Sequence, residues 1–340
     1  MKRVICLLLV SLITLALLLS CSKAPAPVAG PVQERTTGAK STDEYVFVTV
    51  LMNLEYFQTH RMAVEDAARQ LGVTGYMTGS NDYDALQMIS VFETLIQNPN
   101  VKGIITPGHF EESYRELFEK AWQAGIPVAT VTLGVPNSRA LVNFGTNYVD
   151  YGYLMAQAMG DLINNRGKVL ISQNMTGGGQ PALDIVTGIM KYASEHPGMN
   201  VLEPLQDDSD AVVAARVIGS ALQANPDVVG VIGCQSASGV GAVTALREAR
   251  MLDRVKVVCI DKDMPTLEAI RDGNIQATVV GKQYTEVFYA TKMLYDYNNG
   301  NLPFMASNDY HGLDISPLPV FVDTGAFIIT KENLSAFLPD

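Results

Sequence analysis

The side chains of this chain that can engage a small molecule fall at the carboxyl ends of apolar runs. Asn53, Tyr56 and Phe57 follow the run 46–51. Thr106 closes the run 101–106 and His109 lies just past it; Thr132 follows 126–131; Asn174 follows 168–172; Gln235 and Asp261 follow 228–233 and 255–260; Gln283 lies past 276–280. Amides, hydroxyls and a carboxylate exchange hydrogen bonds with a ligand, and aromatic rings cover its apolar faces. That is equipment for reversible binding rather than for breaking bonds. Plainer roles are open to several of them: Tyr56 and Phe57 could pack beneath a helix, Asn53 could serve a turn, His109 could face solvent, and Asp261 could cap a helix starting near Pro265.

Patterns that would announce catalysis do not occur. Met175-Thr176-Gly177-Gly178-Gly179 stands where a phosphate loop would, between a strand and a helix, but it has neither dinucleotide nor P-loop spacing and no Lys-Ser/Thr pair follows. Ser236 occupies a strand-to-helix turn without the flanking glycines of a nucleophile elbow. His60, His109, His196 and His311 are scattered, with no H-E-x-x-H pair. The chain reads as a non-enzyme that needs neither metal nor other cofactor.

What positions these residues is a repeated alternation. The run Val-Phe-Val-Thr-Val-Leu at 46–51 is too uniformly apolar for a strand with one wet face, so it reads as a parallel strand covered on both sides. Residues 53–57 then form its strand-end loop. A helix takes over at Gln58, with Met62, Ala63, Ala67 and Leu71 at helical spacing and Gly72 as its stop. Strands are expected at 75–78, 101–106, 126–131 and 141–144, with helices at 84–97 and 111–124. A second series sets helices 150–164, 180–196, 210–225, 239–249 and 265–272 against strands 168–172, 201–204, 228–233, 255–260 and 276–280. Helix 285–298 and a last strand near 321–329 follow. Alternation of this kind gives right-handed crossovers and parallel sheets. The fold class is therefore α/β, with two Rossmann-like lobes. The tail crosses back, so that residues 44–144 with 282–304 form one lobe and 145–281 with 305–340 the other. Ligands of open α/β sheets gather at strand carboxyl ends, which makes the gap between the lobes the expected site.

With 48% hydrophobic residues the chain can fill two cores, and a balance of 24 basic to 35 acidic residues, net −11, disfavours nucleic acid or an anionic membrane surface as partner. Lys2 and Arg3 precede an apolar segment at 4–19 that is short for a membrane span. Leu18-Leu19-Ser20-Cys21 resembles a bacterial lipobox, which implies a lipoprotein signal at 1–21 with lipidated Cys21; ordinary cleavage or a retained anchor is the other reading. Residues 22–43, rich in Pro, Ala, Gly, Ser and Thr, read as a disordered tether. Cys6 would leave with the signal, so Cys234 and Cys259 remain. They read as two buried free thiols, with a disulfide as the alternative.

Several stretches, in this order, are similar to the type I periplasmic solute-binding proteins, in the ribose- and galactose-binding branch. They are Tyr56-Phe57, Gly125-Ile126-Pro127-Val128, Phe144-Gly145-Thr146-Asn147, residues 257–261, Ile270-Arg271-Asp272-Gly273-Asn274-Ile275 with Ala277-Thr278, and Val322-Asp323-Thr324-Gly325 with Thr330-Lys331-Glu332-Asn333. The resemblance implies lobes joined by a three-strand hinge and closing over a sugar. It implies paired aromatics at Tyr56 and Phe57, and ligand contacts at Gln235, Asp261 and Gln283, where the family has Asn, Asp and Gln. It also marks departures. Thr106 and Thr132 stand where Asn and Asp are usual, Thr132-Leu133 replaces a common Asp-Arg pair, Asp184-Ile185 replaces an arginine, and Ser209 and Ile260 replace aromatics. The partners implied are a small neutral sugar or polyol, an ABC permease, and a membrane reached only through the lipid of a monomer in the periplasm or on the cell surface. A sensor subunit presenting its closed form to a chemoreceptor or histidine kinase is the other reading.

Overall fold

The computed structural model describes residues 40–301 and 318–338. The expected signal with Cys21, most of the expected tether, His311 and the boundary at 304 and 305 lie outside these residues.

The first sheet contains β1 (Glu44–Thr49), β2 (Thr74–Gly79), β3 (Val101–Pro107), β4 (Val128–Val131), β5 (Ala140–Gly145) and β12 (Phe321–Asp323), ordered β12-β5-β4-β3-β1-β2 and wholly parallel. The reason lies in β1. Val46, Val48 and Val50 enter a core with Met88, Phe92, Tyr114 and Phe118, while Tyr45 and Phe47 enter another with Val64, Val287 and Leu294 on the opposite face. Period-two alternation thus feeds two apolar layers at once, and a fully apolar run is the result. Helices α1 (Glu55–Leu71) and α9 (Gln283–Asn299) cover one face, α2 (Ala85–Gln97) and α3 (Glu111–Gln123) the other.

The second sheet repeats the plan with β6 (Gly167–Gln173), β7 (Met199–Val201), β8 (Leu205–Gln206), β9 (Val228–Gly233), β10 (Lys256–Ile260), β11 (Ala277–Gly281) and β13 (Ala326–Thr330). Its order is β13-β11-β10-β9-β6-β7, β8 pairs with β6, and only β13 runs antiparallel. Helices α4 (Tyr148–Ile163) and α5 (Gly179–Glu195) cover one face; α6 (Ala211–Ala224), α7 (Ser236–Glu248) and α8 (Met264–Arg271) the other. Cys259 points into the α6–α8 core and Cys234 into the α4–α5 core, so the two thiols sit on opposite faces of the sheet and both are free. Burial raises both, that of Cys259 to about 12.

The chain passes between the sheets after β5, after β11 and after β12. Thr324 ties two of these crossings together, its amide and its hydroxyl both donating to the Gly145 carbonyl at 2.8 and 3.0 Å. The Asn147 amide donates to Asp323 Oδ1 at 3.2 Å beside them.

Several expectations need correction. The final strand expected near 321–329 is two strands on different sheets, broken at Gly325, whose φ of 71° turns the chain. Phe321–Asp323 therefore edge the first sheet, although 305–340 is expected to belong wholly to the second lobe. The strand expected at 201–204 ends at Val201, and pairing with β6 resumes only past Pro204, a residue with no amide to give. Helix α1 begins at Glu55 rather than Gln58, α7 at Ser236 rather than Gly239 and α9 at Gln283 rather than Thr285. None of these three helices opens on the Asp or Asn cap that marks α2, α4 and α6.

Helices α4 and α5 touch backbone to backbone: a Cβ on Gly188 would lie 1.9 Å from the Val149 carbonyl oxygen, whereas one on Gly219 of α6 meets nothing within 4 Å. In urea unfolding, Gly188→Ala should cost roughly 2–3 kcal/mol by overpacking. Gly219→Ala should instead gain up to about 1 kcal/mol from helix propensity.

Candidate ligand cleft

Three strands finish in non-glycine residues forced into the left-handed region: Leu51 after β1 (φ 51°), Thr132 after β4 (φ 59°) and Asp261 after β10 (φ 67°). Such a conformation costs on the order of 1–3 kcal/mol and is most adverse for a β-branched residue. Neighbours hold it in place. The Thr132 amide donates to the Phe144 carbonyl at 2.8 Å, and the Asp261 carbonyl accepts from the Thr278 hydroxyl at 2.7 Å.

On the first lobe, the early start of α1 places Tyr56, Phe57 and His60 on one turn. Phe57, 4% exposed, packs in the core with Phe47 and Val131, leaving Tyr56, edge-on to it at 5.1 Å, as the more exposed ring. His60 stacks on Phe47 and its Nδ1 lies 3.1 Å from the Tyr56 carbonyl oxygen; burial lowers its pKa to about 4. His109 sits edge-on to Phe57 and Tyr83, likewise lowered to about 4 by burial, so it is an interior group rather than a solvent-facing one. Both imidazoles are neutral, and each has an Nε2 that is buried without a hydrogen-bond partner. Thr106 is completely buried and donates to the Pro107 carbonyl at 3.2 Å. Asn53 is exposed on the rim, its amide donating to Asn81 Oδ1 at 3.2 Å.

On the second lobe, the Gln235 side-chain amide donates to Gln173 Oε1, and its backbone amide to Ser238 Oγ at 3.1 Å. Beneath them the fully buried Asp207 accepts from the hydroxyls of Ser172 and Ser238 and from the Ser209 amide, lashing three strand-end loops together. Asn174 organises its own loop, accepting from the Gly177 amide at 2.8 Å and the Gln206 side chain at 2.9 Å. Asp261 accepts from the Ser236 hydroxyl, and burial pushes its carboxyl up. It is not the cap of α8. Asp263 takes that role, accepting from the amide and hydroxyl of Thr266.

The two walls meet electrostatically at three phenols. Burial first, then the charges of Glu286 and Asp261, hold Tyr56 and Tyr148 protonated far above their ordinary range, and Asp261 acts likewise on Tyr151. Tyr56 and Glu286 belong to the first lobe, Tyr148, Tyr151 and Asp261 to the second. Glu286 is 2% exposed, one turn after the buried Gln283, and accepts from Thr132 Oγ1 at 2.7 Å. Burial raises it to about 7, against the hydrogen bond from Thr132 that pulls it down. Sequence reasoning misses Glu286, Tyr148, His60 and Asp207. Glu286 looks there like any outward carboxylate of a helix, and only its three-residue spacing from Gln283 hints otherwise. Among the described residues no group of three or more His, Cys, Asp or Glu side chains stands where it could hold a metal ion.

The raised Glu286 has a consequence for folding. An unfolded carboxyl ionises near 4.5 and this one near 7, so the protein binds more protons folded than unfolded across that window and loses stability as pH rises through it. Glu286→Gln should therefore gain on wild type between pH 4.5 and 7, by about 3 kcal/mol at the upper end. Parallel urea-derived stability curves for the two proteins would contradict this.

Comparison with known proteins places this geometry. Residues 45–302 match the family model described as a periplasmic binding protein domain. The chain is 25% identical over 338 residues to a xylose/arabinose-binding protein of Sulfolobus acidocaldarius, covering 92% of this chain and 76% of that one. It is 25% identical over 250 residues to a D-apiose import binding protein of Paraburkholderia graminis, covering 72% and 78%. Among solved structures, the sugar-binding protein of a sugar ABC transporter from Bacillus halodurans superposes with a TM-score of 0.80 at 25% identity, over 87% of this chain and all of that one. An arabinose-binding protein from Geobacillus stearothermophilus does so equally well, over 87% and 99%. With its two parallel-dominated sheets and three crossings, the chain belongs to the periplasmic binding protein family, type I fold, whose members bind solutes rather than transform them.

Proposed function

We propose that this protein captures a small sugar or sugar-like polyol between its lobes, outside the cytoplasm, and delivers it to the permease of an ABC importer. The observation that carries the reading is that Tyr56 and Glu286 of one lobe and Asp261 and Tyr148 of the other lie near enough to act on one another electrostatically, the first three of them at or beside strand ends. A carboxylate accepts from two hydroxyls at once, protonated phenols donate, and a ring covers the apolar face of a sugar. Tyr56, Thr132, Gln235 and Asp261 are the proposed ligand contacts, with Gln283 at the hinge, and Asn53 and Asn174 at the rim. Phe57 and Thr106 support them from beneath. The pentose names carried by relatives at 25% identity favour this ligand class. Contacts drawn from both lobes bind the closed form better than the open one, and that difference drives closure.

The chain acts as a monomer, held to the membrane by a lipid on Cys21 and the tether that follows. The lipobox pattern supports the anchor, and among the described residues no helix is long and apolar enough to cross a membrane.

A thermal-shift panel of xylose, arabinose and apiose tests the ligand. A sugar at one hundred times its dissociation constant should add about 2.7 kcal/mol of stability, and Asp261→Ala should remove that gain. A mutant that responds as wild type does would refute the assigned cleft. In cells, Cys21→Ser should move the protein from the detergent phase to the aqueous phase of a Triton X-114 partition; retention in detergent would rule out the lipid anchor.

A further inference from the structure

The corner at Thr132 poses a question. A threonine in the left-handed region is strained, and here its hydroxyl donates into the fully enclosed carboxyl of Glu286, which arrives from the first turn of α9. Thr132-Leu133 replaces the Asp-Arg pair usual at this strand end. The carboxyl beside this strand end comes from another element of the same lobe, α9. The Thr132 hydroxyl from the end of β4 already bonds it, and a carboxylate has acceptor capacity for about four donors. The groups facing it are Tyr56 from α1 and Tyr148 from α4. Asp261 acts on those same phenols from the end of β10, with Lys262 and Asp263 beside it. Lys282 precedes α9, its ammonium close to Gly325 of the crossing.

We propose that Glu286 is the first lobe's ligand-gripping carboxylate, opposite Asp261, and that hydroxyls of the captured sugar settle it in the ionised form so that capture releases a proton. The inference rests on the sugar-binding reading above and extends it. The Thr132 hydroxyl shows the direction: it favours the charged carboxylate against the burial that opposes it. Ligand hydroxyls add to the same side. The balance is simple: protonated Glu286 plus sugar gives the carboxylate–sugar complex and one proton passed to solvent, with no covalent change. Since the free carboxyl titrates near 7, binding should strengthen as pH rises through neutrality and level off above it.

The test is titration calorimetry of the purified protein with arabinose, xylose and apiose in phosphate and in Tris, buffers with very different ionisation heats. At pH 7 the difference in apparent enthalpy should report about half a proton released per sugar bound, and affinity should fall by about tenfold from pH 8 to pH 6. Glu286→Gln should bind with no proton release and a flat pH profile. Binding by wild type without proton release overturns the inference alone, whether or not the variant folds, as does an unaltered pH profile in a folded Glu286→Gln. Failure of all three sugars to bind overturns the sugar reading and this inference with it.

Discussion

A parallel strand covered by helices on both faces has nowhere to put a polar side chain except its ends. In this protein that restriction governs everything else. Residues 45–48 alternate between two cores, and the same division recurs in β6, where Val169 and Ile171 oppose Leu170, and in β10, where Val258 opposes Val257 and Cys259. Polar side chains able to exchange hydrogen bonds are therefore concentrated at the carboxyl tips of both sheets.

The joints between the lobes are shaped by the same logic. Each crossing leaves a strand tip of one sheet and enters an element of the other, so the crossings gather at the strand tips. Glu286 records this: it follows one crossing, its partner is a strand corner, Thr132, and its charge reaches phenols of both lobes.

Much of this was legible in the sequence because apolar period and cap chemistry are local. The alternation of strands and helices, the Gly72 stop and the strand-end placement of Tyr56 and Asp261 follow from residues a few positions apart. What was not legible depends on pairings far along the chain. The split of the last strand turns on Gly325 and on two sheets competing for neighbouring residues. The choice of Asp263 over Asp261 as the α8 cap reflects a two-residue difference in register that composition cannot settle. The role of Asp207 depends on serines 35 and 31 residues away. The missing Asp-Arg pair suggested a lost carboxylate, whereas the fold supplies one from residue 286, 154 positions downstream of its threonine partner.

The two thiols carry a last implication. Cys234 and Cys259 lie on opposite faces of one sheet, each sealed in its own core and held protonated by burial. Neither of these two thiols asks anything of an oxidase or an isomerase, and once the chain is folded both are sealed from ambient glutathione. At these two positions the fold is blind to the redox state of its surroundings.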